Sequence, residues 1–279
     1  MSVDKTVRNV LVLGCGYTGK VLVRKLIAAG THVTGTTTRA ENRDEICGLG
    51  ADGYVWAMGS ELPAHLQQVD TAFVLCPPGT ESPEPLAKQL SAVSDVVYCS
   101  STGVYGHCED GRELTESSPA LGNSPRAQAR LEAERAFLNI GARIVRAGGI
   151  YGPGRNMLER LNKGRVRVAG NLERLVNMIH VEDLATILMA AALRAPKGGV
   201  FIATDGLPVR WRDLAETASK LAGIELPEEV ELPEDPMLRS FYDSSRRLNN
   251  DHTLSCLGIR LAHPSALAAL EELAPRTQN

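Results

Sequence analysis

The stretch that most constrains the fold is an apolar run, Val10–Leu13, which is followed at once by three glycines. The run has the β-branched and leucine composition of a buried parallel strand. Gly14, Gly16 and Gly19 give the spacing G-x-G-x-x-G, and apolar side chains then recur at helical intervals. Strand, turn and helix in this order are typical of a dinucleotide-binding unit, in which the new helix faces a pyrophosphate. The alternative is a glycine turn that binds no ligand.

Strand and helix patterns alternate through the first half of the chain. The predicted strands are Val7–Leu13, Thr31–Thr37, Tyr54–Ala57, Thr71–Leu75, Asp95–Ser100 and Arg143–Arg146, and the predicted helices are Thr18–Ala29, Asp44–Leu49, Pro85–Val93 and Ser124–Asn139. Such alternation predicts an α/β fold, a doubly wound parallel sheet with helices on both faces. We expect a single domain over residues 1–279. Within it, residues 206–279 would form a smaller C-terminal lobe on the substrate side, with helices at Trp211–Ala222 and Pro264–Leu273.

Composition narrows the classes of partner. The net charge of −3 gives no reason to expect a nucleic-acid or membrane partner. Apolar runs stay short of the ~18 residues that a membrane helix needs, and the start of the chain has no signal-peptide pattern. We therefore expect a cytoplasmic protein that acts on a small molecule, with the oligomeric state left open between a monomer and a homodimer. The six cysteines form no C-x-x-C pair, and no metal site is predicted.

Four motifs resemble those of the extended and atypical short-chain dehydrogenases/reductases, the NAD-dependent epimerase/dehydratase-like proteins. They are Gly14–Gly19, Val97–Gly106, Arg146–Arg155 and Asn177–Leu184, with a weaker echo at Ser245–Asn250. The resemblance covers residues 7 to about 205 and implies a Rossmann fold with a nicotinamide cofactor lying across the strand ends. The residues expected to bind the cofactor are Gly14, Gly16, Tyr17, Thr18, Gly19, Thr37, Thr38, Arg39, Cys76, Pro77, Ser100, Arg130 and Gly149.

The resemblance also implies a catalytic group of Ser or Thr, Tyr and Lys, and here the chain departs from the family. Ser101 fits the first position, but Arg126 stands in place of the tyrosine and Arg130 in place of the lysine. Arginine stays protonated, so Arg126 cannot serve as the acid/base. It is predicted either to clamp an anionic substrate or to be a solvated residue paired with Glu132 or Glu134. Arg130 is expected to donate to the cofactor ribose, and both arginines to face the cleft.

Several other residues are candidates for the missing proton donor or for structural ties. Three residues are candidates to replace the proton donor, Tyr105, Tyr151 and His107, but packing is the favoured explanation for the two tyrosines and solvation for the histidine. His180 and Asp183 fall in the motif that ties the substrate-side turn to the following helix, and we expect them to be structural.

The end of the second strand bears on cofactor choice. It contains Thr36, Thr37, Thr38 and Arg39, and the first carboxylate after them is Glu41. Hydroxyls followed by arginine favour a 2′-phosphate, which the usual carboxylate would repel, so NADP is predicted with NAD as the alternative.

Three functions are compatible with these residues. The first is an NAD(P)-dependent oxidoreductase or epimerase that acts on a polar, sugar-like small molecule with a non-standard acid/base. The second is a non-catalytic dinucleotide-binding sensor or partner protein. The third is a dehydratase or decarboxylase that holds its nicotinamide permanently.

Overall fold

Seven parallel strands form the central sheet of the computed structural model, which describes residues 9–79, 81–108, 111–235, 239, 242 and 244–274. Their spatial order is β11-β7-β5-β4-β1-β2-β3. The chain runs outward from β1 to β3 and then returns to β4 on the other side of β1. The carboxyl ends of β1 and β4 therefore flank the switch point where ligands bind in such sheets. The strands are β1 (Asn9–Leu13), β2 (His32–Thr37), β3 (Asp52–Val55), β4 (Thr71–Val74), β5 (Asp95–Ser101), β7 (Arg143–Ala147) and β11 (Val200–Ala203).

Short strand pairs lie above the carboxyl edge of the sheet. They are β6 (Glu113–Leu114) with β13 (Arg247–Leu248), β8 (Gly149–Tyr151) with β10 (Met178–His180), and β9 (Leu175–Val176) with β12 (Val209–Arg210). The helices are α1 (Tyr17–Ala28), α2 (Ala40–Gly48), α3 (Glu84–Gln89), α4 (Pro125–Asn139), α5 (Met157–Asn162), α6 (Val181–Arg194), α7 (Trp211–Ala222), α8 (Asp251–Leu257) and α9 (Ala266–Leu273). Two 3-10 turns cover Ala64–Gln67 and Thr102–Tyr105.

The core has one apolar layer on each face of the sheet, because successive side chains of a strand point to opposite faces. Val10 and Val12 of β1 belong to the layer that contains α1 and α6. Leu11 and Leu13 belong to the layer that contains α3 and α4. A third cluster, in the smaller lobe, joins α5, α7 and α9.

The predicted doubly wound sheet is confirmed. Of the elements predicted in the first half of the chain, only the bounds differ: α2 begins four residues before the predicted Asp44, and β3 lies two residues before the predicted Tyr54–Ala57. In the second half, β11 and α6 are not among the predicted elements. In α6, nine residues are buried, and the side chains left partly or fully exposed along one face include Met189 and Leu193, so polar residues mark the outer face of this helix only weakly. Residues 7–8 of the predicted first strand lie outside the described residues.

The smaller lobe draws on other stretches than residues 206–279 alone. Its apolar cluster also includes Tyr151, Met157, Leu158, Leu161, Val166 and Val168. Leu257 at the end of α8 instead belongs to the cluster on the α1 and α6 face of the sheet. Among the described residues, no helix is both long enough and apolar enough to cross a membrane.

Candidate functional site

Two of the three glycines after β1 are required by the backbone and its packing. Gly14 has a φ of +94°, and a Cβ there would lie 2.9 Å from the backbone nitrogen of Cys76. A Cβ on Gly19 would lie 2.7 Å from the Gly14 carbonyl oxygen. The Gly14 N–H donates to Oγ1 of Thr36 at 3.1 Å, which fixes the turn against β2. These contacts join β1, β2 and β4 at the switch point.

Gly16 is different, because neither packing nor backbone conformation requires glycine there. Its φ is −77°, and an added Cβ would meet nothing within 4 Å. Gly16 also precedes α1 without any side chain capping the first N–H groups of the helix. The Tyr17 hydroxyl donates to the Pro153 carbonyl at 3.0 Å. The Arg155 guanidinium lies over the Tyr17 ring. The open space above α1 fits a pyrophosphate held by helix N–H groups.

The end of β2 turns two of its threonines inward. Thr36 and Thr37 are buried. Thr36 accepts from the Gly14 N–H, and Thr37 accepts from the Arg39 N–H at 3.4 Å. These two side chains therefore brace the backbone, and their contact with a 2′-phosphate stays a prediction. Thr38 and Arg39 are exposed and remain available at the strand end.

The segments that directly follow β4 and β7 contain other residues that were expected to bind the cofactor. Cys76 is half-buried and Pro77 is exposed beside the glycine turn. Burial raises the pKa of the Cys76 thiol to about 12, so the thiol is protonated and unreactive near neutral pH. Gly149 is exposed, and a Cβ there would lie 2.7 Å from Sδ of Met178.

Ser101 ends β5 and begins the turn at Thr102–Tyr105. Its Oγ accepts from the Gly103 N–H at 3.1 Å, and the side chain is half-buried. The hydroxyl proton can still be donated to a substrate oxygen, because this contact uses only a lone pair.

A buried hydrogen-bond network lies beneath the cleft. It includes Ser100, which was predicted to bind the cofactor, and Tyr105, which was predicted as a proton donor. Ser100 donates to Oε1 of Glu134 at 2.6 Å, and Arg146 pairs with Oε2 of Glu134 at 2.7 Å. Arg146 also donates to the Tyr105 hydroxyl at 2.9 Å. Tyr105 is 1% exposed, and burial raises the pKa of its phenol, so it is not placed to pass a proton to a ligand. Both carboxylate oxygens of Glu134 are thus engaged within this network.

The two arginines that replace the expected tyrosine and lysine lie together on α4. Arg130 is half-buried, and its Nη1 donates to the Cys99 carbonyl at the end of β5 at 3.2 Å. Its Nε is buried without a hydrogen-bond partner among the described residues. Arg126 is exposed, but partial burial and then the neighbouring charge of Arg130 lower its pKa. Positive charge is thus concentrated where the family carries its proton donor.

The remaining candidate donors differ in their surroundings: the Tyr151 hydroxyl is buried without a hydrogen-bond partner among the described residues, and His107 is bonded through one ring nitrogen. Burial raises the pKa of Tyr151, whose ring packs edge-on against His180. Burial likewise raises the pKa of Tyr17. His107 accepts the Ser245 N–H at its Nδ1, at 3.0 Å, and this leaves Nε2 as its other ring nitrogen.

His180 and Asp183 form a cluster with His263, which the sequence analysis did not single out. Asp183 accepts from the N–H groups of Ala262 and His263, each at 2.8 Å, and His180 accepts from the Glu182 N–H at 3.3 Å. The two imidazoles stack at 3.6 Å between centroids. One ligand atom from each residue lies within 4.8 Å of the others, as a metal would require. Stacked rings direct their lone pairs side by side, however, and the cluster is better explained as a tie between α6 and the chain before α9.

Comparison with known proteins relates the chain to one family. Residues 86–203 match the family model described as NAD dependent epimerase/dehydratase family. Protein YeeZ of Escherichia coli (strain K12) is 28% identical over 283 residues, which cover 93% of this chain and 98% of YeeZ.

Solved structures share the fold over almost the whole chain. A functionally unknown conserved protein from Silicibacter pomeroyi DSS has a TM-score of 0.84 at 32% identity, covering 96% of this chain and 98% of its own. MoeE5, solved in complex with UDP-glucuronic acid and NAD, has a TM-score of 0.77 at 24% identity. That alignment covers 97% of this chain and 100% of MoeE5, and at this identity the likeness concerns the fold.

Proposed function

The chain belongs to the NAD dependent epimerase/dehydratase family, and from this we propose that it binds a nicotinamide dinucleotide and uses it on a polar, sugar-like small molecule. In this proposal the dinucleotide lies across the carboxyl ends of β1, β2, β4 and β5. The complexes of MoeE5 with UDP-glucuronic acid and NAD support a sugar nucleotide as the first substrate class to test.

The observation that carries the proposal is the unexplained glycine at position 16. Packing accounts for Gly14 and Gly19, but an added Cβ on Gly16 would meet nothing within 4 Å. Glycine at such a position makes sense when a ligand approaches the backbone closely. The uncapped start of α1 supplies the N–H groups for two phosphates.

NADP is the proposed form of the cofactor. Thr38 and Arg39 are exposed at the end of β2, where they can contact a 2′-phosphate, and Arg39 offers a guanidinium fork. The first carboxylate after them, Glu41, is exposed on α2. NAD remains the alternative, because the family is NAD-dependent.

The nicotinamide would supply hydride transfer, and the chain's own residues would bind and orient. Ser101 would hold a substrate oxygen, Arg130 the ribose hydroxyls, and Arg126 the substrate. Proton transfer is the missing part unless Nε2 of His107 supplies it, because the pKa values of Tyr105 and Tyr151 are raised and arginine does not titrate near neutrality. We expect little hydride transfer with simple alcohols and aldehydes.

That missing part favours one competing function, a dinucleotide-binding protein that senses redox state or serves as a partner without turnover. A dehydratase or decarboxylase with a permanently held nicotinamide is the third candidate. A cytoplasmic location and a homodimer stay predictions.

One set of measurements on the purified protein separates these functions. Nucleotide released on denaturation identifies a permanently held cofactor, and calorimetry compares NADPH with NADH. Turnover of UDP-glucose, UDP-glucuronic acid and a simple aldehyde is then followed by nicotinamide absorbance and by chromatography of the products, because epimerisation and dehydration return the nicotinamide to its starting state. Turnover of a nucleotide sugar supports the proposed enzyme, and tight binding without turnover of any substrate supports the sensor. Absence of dinucleotide binding would contradict both.

A further inference from the structure

One guanidinium group beside the cleft lacks a carboxylate to neutralise it. The Nη1 of Arg246 donates to the backbone carbonyls of Thr102 at 3.1 Å and Gly106 at 2.8 Å. In the part of the chain that the structure describes, Arg246 has no ion-pair partner. Burial lowers the pKa of this guanidinium to about 10, and among the described residues no neighbouring charge offsets the burial.

A guanidinium in this state has unused binding capacity. Burying a charge is unfavourable unless it is paired, and two peptide carbonyls neutralise it only in part. Both carbonyls are bonded to one nitrogen, Nη1, so the Nη2 and Nε donors of Arg246 have no partner among the described residues. The side chain remains partly exposed, so a ligand can reach it.

The backbone around Arg246 is held from both sides. Ser245 donates its N–H to His107, and its Oγ accepts from the Leu175 N–H at 3.0 Å. The side chain of Asn177 donates to the Arg246 carbonyl and accepts from the Leu248 N–H. A guanidinium mounted on such a fixed backbone loses little freedom when it binds an anion.

The position of Arg246 indicates which part of a ligand it would meet. Thr102, one of its carbonyl partners, directly follows Ser101, the residue proposed to hold a substrate oxygen. On the α4 side of the same segment, Arg130 donates to the Cys99 carbonyl. Guanidinium groups from two separate parts of the chain are thus bonded to the backbone of one short stretch, Cys99–Gly106.

We propose that Arg246 binds an anionic group of the substrate, a carboxylate or a phosphate, close to the reacting carbon at Ser101. The inference rests on the proposed function, because it assumes that a substrate occupies this end of the cleft. It narrows the substrate class to small molecules that carry an oxyanion near the reacting centre.

A purely structural role would have different consequences. If Arg246 only ties the 3-10 turn to the chain at Ser245–Leu248, its loss would lower the melting temperature without altering any response to anions. The variant Arg246→Gln removes the charge and keeps an amide donor for one carbonyl. The variant Arg247→Gln is the matched control, because Arg247 is the adjacent residue and is exposed.

The test is a thermal titration of NADPH-saturated protein with inorganic phosphate and, separately, with malonate at constant ionic strength. NADPH occupies the pyrophosphate site, so the anions report on other sites. We expect the melting temperature of the wild type and of Arg247→Gln to rise in at least one arm. The apparent affinity of Arg246→Gln should be at least about tenfold weaker, as the loss of a charge-assisted contact predicts. The arm that responds distinguishes phosphate from carboxylate.

Two outcomes would overturn the proposal: no anion-specific rise in the wild type, or an unchanged response in Arg246→Gln. If Arg246→Gln does not fold, Arg246→Lys decides, since lysine keeps the charge and loses the planar fork. A response weakened several-fold then supports the site, and an unweakened one contradicts it. An Arg246-dependent response in a protein that binds no NADPH would leave the anion site in place and remove the proposed function.

Discussion

At the scale of single residues, the glycines of the first turn serve two different purposes. Replacing Gly16 by Val should leave the free energy of unfolding within about 1 kcal/mol of the wild type, because φ is −77° and the site is open. The same change should weaken dinucleotide binding at least about tenfold, because the side chain would occupy the place of the pyrophosphate. Calorimetry with NADPH and thermal unfolding measure the two effects separately.

Gly14→Ala is the matched control for Gly16→Val. Its positive φ and its approach to Cys76 predict a loss of stability of about 1–3 kcal/mol. If the Gly16→Val variant binds NADPH as tightly as the wild type, the pyrophosphate does not bind next to Gly16.

Arg39 is the residue proposed to decide between NADPH and NADH. Arg39→Ala should weaken NADPH binding by ~1–3 kcal/mol, the contribution of a hydrogen bond to a charged group, and leave NADH binding unchanged. The side chain is exposed, so folding should not be affected. Thr37→Ala is the comparison, since the Thr37 hydroxyl accepts from the Arg39 backbone and is buried. Equal losses for NADPH and NADH in Arg39→Ala would exclude a 2′-phosphate contact.

The sequence indicated the cofactor side of the site better than the catalytic side. The G-x-G-x-x-G spacing depends on local backbone geometry, and the structure places Gly14 and Gly19 as that geometry requires. The side-chain environments of Ser100 and Tyr105 depend on Arg146 and Glu134, which are distant in sequence. Arg246 was noticed only as part of a weak motif, because hydrogen bonds to carbonyls 140 and 144 residues away leave no local pattern.

At the scale of elements, α4 is joined to β5 and β7 by the network around Glu134. Glu134→Gln should lower the free energy of unfolding by about 3–5 kcal/mol, because it leaves the Arg146 guanidinium buried and unpaired. Glu132→Gln, an exposed change on the same helix, should have an effect within about 0.5 kcal/mol. Urea unfolding of the two variants provides the comparison. Similar stabilities would mean that the network does not hold α4 to the sheet.

The elements that were not predicted share a physical cause. The helix α6 is buried along most of its length between the sheet and its neighbours, and β11 is a four-residue strand with three buried residues. Short or fully apolar segments carry no clear periodicity, whereas α1 and α4 have a recognisable start in Gly16 and Ser124.

At the scale of the whole molecule, Asp205 joins the edge of the sheet to the last helix. Its carboxylate accepts from the N–H groups of Leu207 and Ala266, and burial raises its pKa to about 7. The folded protein therefore binds a proton between about pH 4 and 7 that the unfolded chain has lost. The unfolding free energy should fall as pH rises through this range, by no more than ~1.4 kcal/mol per pH unit.

Asp205→Asn removes this titration, so its stability relative to the wild type should improve as pH rises from 5 to about 7 and stay constant above. Thermal unfolding at several pH values measures the difference. Asp44→Asn, an exposed change on α2, should give a curve parallel to the wild type. A parallel curve for Asp205→Asn would show that the carboxyl is ionised throughout.

The contacts of Ser245 and Arg246 with the turn after β5 also set an order in time during synthesis. They join residues 138 to 144 positions apart. At a ribosomal speed of ~5–20 residues per second, the turn is synthesised roughly 7 to 28 seconds before Ser245 and Arg246. The glycine loop and its neighbouring strands leave the ribosome long before the wall opposite Ser101 exists. Under the proposed function, the nascent chain therefore carries its dinucleotide-binding turn before it carries Arg246, the residue proposed to meet the substrate.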